Sequence, residues 1–89
     1  MTSPARVRSL HYNALKKRAL EIFVRHERWL RPPEWAVEAH FYPMRAAYSY
    51  LLRLHRFGLL ERQQTGEFVL YRLSDRGKLR LEWLSHVSD

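Results

Sequence analysis

Cysteine is absent from this 89-residue chain, and glycine and proline are scarce, with three and four copies. Without cysteine, neither a disulfide nor a thiolate metal site can form. Three scattered glycines leave no glycine-rich loop to cradle phosphates. No apolar run approaches the roughly 20 residues that span a bilayer. The opening residues, Met-Thr-Ser-Pro-Ala-Arg-Val-Arg, lack the apolar stretch of a signal peptide. No membrane association and a cytoplasmic location are therefore expected. Catalytic constellations are missing too. The five histidines, His11, His26, His40, His55 and His86, form no pair at metal-ligand spacing on one helix face. Nothing links serine, histidine and acid into a nucleophile and its base. Neither an enzyme nor a metal or other cofactor is expected.

Acidic residues are also in short supply. Nine Asp and Glu face sixteen Lys and Arg, thirteen of them Arg, for a net charge of +7. Excess positive charge favours polyanions, and the planar guanidinium suits phosphates and guanine edges. The same excess also arises from codon bias and solubility. Its distribution matters: residues 1–31 hold eight basic and two acidic groups, residues 32–58 three and two, residues 59–73 two and two, and residues 74–89 three and three. The surplus sits on the first segment.

Apolar residues make up 46% of the chain, with three Trp, five Tyr and four Phe. That is enough for one domain, residues 1–89, with a core of its own. A chain of this size buries only about 60–65% of its unfolded surface. Residues 1–5 are expected to be disordered. From about residue 7 to 27 the run rich in Ala, Leu, Lys, Arg and Glu predicts a helix. Tyr12, Leu15, Ala19, Ile22 and Phe23 share one side of it, with Leu20 and Val24 nearly opposite. Trp29-Leu30 reads as a short extended segment. Pro32-Pro33 opens a second helix over about 33–40, with Glu34 favoured by the helix dipole and Trp35, Ala36 and Ala39 inward. Phe41-Tyr42-Pro43 is the turn. A third helix follows over about 43–57, stopped by Gly58. Two strands within 59–73, joined at Thr65-Gly66, form a hairpin. Ser74 caps a last helix over about 75–87. Leu81 and Leu84 share one face of that helix, and Leu79, Trp83 and Val87 a neighbouring one. The fold class is mainly α with a small β-hairpin, and no repeat or linker interrupts it.

On the third helix, Ala47, Tyr50, Leu51, Leu54 and Phe57 recur at helical spacing and point inward together. Arg45, Tyr48, Ser49, Leu52, Arg53 and Arg56 form the opposite, outward stripe. Three Arg and no acid there suit phosphates and base edges. This order, helix, short strand, helix, turn, helix, hairpin and helix, is the one a winged helix-turn-helix uses to set one helix in the major groove. Arg45, in the first turn, is best placed for a guanine. Arg53 and Arg56 are placed for the backbone. In the hairpin, Arg62, Gln63, Gln64 and Thr65 are the candidate contacts. Glu67 at the tip repels phosphate, and Arg62 and Arg72 at the base supply the only charge. The alternative is that both elements are merely solvated.

Glu34-Trp-Ala-Val-Glu-Ala, Arg53-Leu-His-Arg-Phe-Gly-Leu-Leu-Glu-Arg62 and Tyr71-Arg-Leu-Ser-Asp-Arg-Gly77 resemble three consecutive signatures of MarR-like and PadR-like winged-helix regulators. The resemblance spans residues 18–85 or so. It implies a dimeric transcriptional regulator on palindromic double-stranded DNA, with the third helix in the major groove, the hairpin in the minor groove, and terminal helices building the homodimer. Carried over, the reading positions are Arg45, Ala46, Tyr48 and Ser49, with Arg62 to Thr65 on the wing. The chain is shorter than most MarR-like proteins, its wing lacks a basic tip, and no effector pocket or ligand domain can be read from it. Leu52, mid-stripe, supports an alternative: a winged-helix adaptor that binds protein through the same face. A third reading is non-specific nucleic-acid binding through the first helix alone, which replacing Lys16, Lys17 and Arg18 with Gln would abolish.

Overall fold

The computed structural model describes the backbone of residues 4–87 and the side chains of residues 13–86. It is a mainly helical α+β arrangement of four helices and one antiparallel hairpin. The elements are α1 (Pro4–Arg25), α2 (Pro32–Ala39), α3 (Met44–Arg56), β1 (Leu60–Thr65), β2 (Phe68–Leu73) and α4 (Asp75–Val87). Of the five residues expected to be disordered, 1–3 lie outside the described residues, whereas Pro4 and Ala5 are already helical. The side chains of Tyr12 and Val87 are likewise outside.

α1 ends two residues before the expected Glu27, because the chain must turn to bring Leu30 against β2. There Leu30 and Tyr71 exchange two backbone hydrogen bonds, each 2.8 Å. This is the short extended segment anticipated at Trp29-Leu30. Pro32 and Pro33 occupy the first turn of α2, where a missing N–H costs nothing. The Glu34 carboxylate accepts the Arg31 backbone N–H at 2.9 Å. That bond, with the charges of Arg28 and Arg31, holds the Glu34 carboxyl below its ordinary range despite some burial. α2 stops at His40, in the left-handed region at φ 51°, and Phe41 N–H closes back on Ala36 O at 3.0 Å.

Pro43 lies outside α3 as its extended N-cap. At the other end Gly58, at φ 81°, lets Leu59 N–H reach Leu54 O at 3.0 Å, the expected glycine stop. The hairpin pairs Leu60 with Leu73 through to Thr65 with Phe68. Its turn is therefore Gly66-Glu67, one residue later than the sequence suggested. Ser74 caps α4 as expected: its Oγ accepts Gly77 N–H at 2.9 Å and donates to Gly58 O at 2.6 Å. One hydroxyl thus fastens the start of α4 to the end of α3.

The core collects Ala19, Leu20, Ile22 and Phe23 from α1, Trp35, Ala36 and Ala39 from α2, and Ala47, Leu51 and Leu54 from α3. Leu30, Leu59, Leu60, Tyr71, Leu73 and Leu84 complete it. Leu20 is fully buried although it faces away from Ala19 on the wheel, because α4 packs on α1 and buries Leu84 as well. Its supposed companion Val24 is exposed. Tyr50 is only half-buried. Phe57, expected inside, is 55% exposed; it sits in the C-cap, past the last turn of α3. On α4, Leu84 is buried and Leu81 packs on the core, while Leu79 and Trp83 face solvent. Among the described residues no helix is long and apolar enough to cross a membrane.

Candidate nucleic-acid interface

The pose of α3 is set from behind. The Trp35 indole N–H donates to Ala19 O of α1 at 3.2 Å inside the core. Its ring lies 5.3 Å from Phe41 and 5.9 Å from Tyr50, and Phe41 stacks on Tyr50 at 5.2 Å and 23°. Three rings from α2, the turn and α3 thus form one cluster, with Trp35 and Phe41 each stacked on Tyr50 and tilted 48° to one another, which fixes the angle between the two helices. Burial pushes the Tyr50 hydroxyl up to about 12, with the nearby charge of Arg53 opposing. Arg18 braces the same unit: its guanidinium donates to Ala39 O at 2.8 Å, capping the C-terminus of α2 from α1. Arg18 is therefore committed within the fold, contrary to a reading that makes Lys16, Lys17 and Arg18 a free basic strip. Neither the aromatic stack nor the Arg18 brace was signalled in the sequence, since each joins residues distant along the chain.

With one side of α3 held, the other is presented. Arg45, Tyr48, Ser49, Arg53 and Arg56 are exposed, and Ala46 and Leu52 are half-exposed. Among the described residues no carboxylate pairs with Arg45, Arg53 or Arg56. Three full charges thus stand on one uncovered helical face. The pairing of acids elsewhere explains the segregation: Glu38 serves Arg25 and His26, Glu34 serves Arg28 and Arg31, and Asp75 serves Lys78.

The hairpin adds less. Arg62, Gln63, Gln64 and Thr65 are all exposed along β1. Arg72, counted as available charge at the base, is instead engaged: its Nε donates to Glu61 Oε1 across the strands at 2.7 Å, and its guanidinium lies 4.5 Å over the Trp29 ring. Arg62 carries the free charge of the two. A further cation, missed in the sequence, reaches the hairpin from outside it: the Arg31 guanidinium sits 5.1 Å over Phe68, next to the tip. Between the end of α1, the hairpin base and α4 lies an open groove of about 660 Å³, lined by Phe23, Val24, Trp29 and Leu73 with Glu27, Glu61 and Lys78 among its rim residues. Acid and base alternate there, so its field is mixed.

Compared with known protein families the chain matches no family model, and no curated protein matches it either.

Proposed function

We propose that this protein binds double-stranded DNA sequence-specifically as a transcriptional regulator of the winged helix-turn-helix kind, with α3 in the major groove and the β1–β2 hairpin beside the minor groove. One observation carries the reading: α3 keeps Arg45, Tyr48, Ser49, Arg53 and Arg56 exposed on one face, with none of the three guanidinium groups paired to a carboxylate among the described residues. Exposed guanidinium groups on one face of a helix suit counterion release and base-edge hydrogen bonding. Arg45, in the first turn, meets bases, Tyr48 and Ser49 flank it, and Arg53 and Arg56 take phosphates. Exposed Val24 on α1 favours pairing of two copies through the terminal helices, away from the Arg76 and Arg80 face of α4, which sets two α3 helices on an inverted repeat.

Selection of bound duplexes from a random pool tests the proposal. An enriched inverted repeat, bound with an affinity that falls steeply with salt, is expected. Absence of any duplex binding at low salt ends it. A second reading rests on Leu52 and Tyr48, four positions apart and both reachable from solvent: an adaptor that docks a protein on the same face.

A further inference from the structure

The charge surplus of the first segment does not stay on α1. Lys16 Nζ lies 5.9 Å over the exposed Phe57 ring at the end of α3. Burial, and then the neighbouring charge of Arg80 on α4, press the Lys16 ammonium below its ordinary range. Arg80 in turn stacks 5.3 Å over Trp83, which is 48% exposed. Arg76, one turn earlier on α4, lays its guanidinium stem against Gly58. Arg53 stands four positions before Phe57, on the same side of α3. The outward stripe of α3 therefore runs on, across Phe57-Gly58, into a group of cations drawn from two other helices. Among the described residues no carboxylate pairs with Lys16, Arg76 or Arg80.

We propose that Lys16, Arg76 and Arg80 form a second phosphate-contacting surface, which takes the backbone of the duplex beyond the segment that α3 reads. This rests on the duplex-binding reading and extends it. Like charges held together without acids are costly in isolation and become favourable when an anion arrives. The aromatic rings orient the cations: Phe57 and Trp83 each offer a face to one of them, so part of the ordering cost is met before binding. A second copy of the chain suits this patch poorly, because a two-fold contact would set the cations against their own image. A phosphodiester backbone supplies the missing negative charge at regular spacing. The surface carries no base-reading geometry, so it adds affinity and salt dependence without preference.

The experiment measures affinity against salt for the selected duplex and for the same duplex lengthened by one helical turn at each end. Wild type is expected to bind the longer duplex more tightly and with a steeper salt slope. Arg76→Gln and Arg80→Gln, both at exposed positions, are each expected to lower that slope by about 0.9, and the triple change with Lys16→Gln by about 2–3, with base preference unchanged. Solution mass is measured in parallel. Wild-type slopes in both single variants on the longer duplex would overturn the inference while leaving α3 as the reader, provided Arg45→Ala still relaxes preference at one base position. A change of oligomeric state in place of a change of slope would also overturn it, marking the patch as a subunit contact. Failure of wild type to bind any duplex at low salt would remove both readings together.

Discussion

Gly77 lies so close to the Leu59 carbonyl that a methyl group on it would collide with the oxygen and press on the Leu73 side chain. The approach lets α4 leave β2 and turn at once across the start of the hairpin. Gly77→Ala is therefore expected to destabilise the fold by about 1–3 kcal/mol through overpacking. Ser74→Ala is expected to cost about 1–2 kcal/mol, since it removes both the cap and the donor to Gly58 O. Urea unfolding of the two variants measures these values, and unchanged midpoints would contradict the packing described.

Tyr50 loses its proton late. Burial raises its folded-state value to about 12, above its ordinary value near 10. Its contribution to stability is then fully present below about pH 10 and is lost as pH rises toward 12. A phenolate absorbance titration should show one late step. Tyr50→Phe should abolish that step and flatten the alkaline fall in stability, a result that a solvent-facing Tyr50 would not give.

Glu34 behaves in the opposite sense. Its carboxyl is held below the ordinary value by the Arg31 N–H and by nearby guanidinium groups. It stabilises the fold above the unfolded carboxyl range, and that contribution disappears as pH falls through its own lower value. Glu34→Gln should lose stability at neutral pH and show a shallower acid limb. Denaturation midpoints at matched pH values check the sign.

On the functional side, Arg45→Ala is expected to cost about 1–3 kcal/mol of duplex affinity and to relax preference at one base position. Leu52→Lys separates the two readings of α3: duplex binding should persist or strengthen, whereas an apolar protein contact should be lost. Fluorescence anisotropy with the selected duplex reads both, and a loss of duplex binding in Leu52→Lys without unfolding would count against α3 in the major groove.

Much of this architecture was written locally. The inner stripes Trp35, Ala36, Ala39 and Ala47, Leu51, Leu54 follow from helical periodicity, and all six are buried. Ser74 and Gly58 marked a helix start and a helix stop by their own chemistry. What periodicity could not supply was the partner of each face. Leu20 and Val24 fall on one side of α1, yet Leu20 is fully buried and Val24 is half-exposed beside an open groove. Phe57 keeps the inward spacing but lies one residue beyond α3, where it stays 55% exposed. The candidate site divides the same way. The uncovered face of α3 was visible as a pattern, while the engagement of Arg72 by Glu61 and Trp29, the brace from Arg18 to Ala39 and the convergence of Lys16 with Arg80 each depend on how distant segments meet.

The stack of Trp35, Phe41 and Tyr50 holds α3 entirely from its hidden side, and none of the three rings shares a position with the outward residues. Scaffold and proposed reading face are consequently separable for an engineer. Positions 45, 48, 49 and 52 can be randomised together as a library, and the clones should differ in the sequences they select far more than in how well they fold.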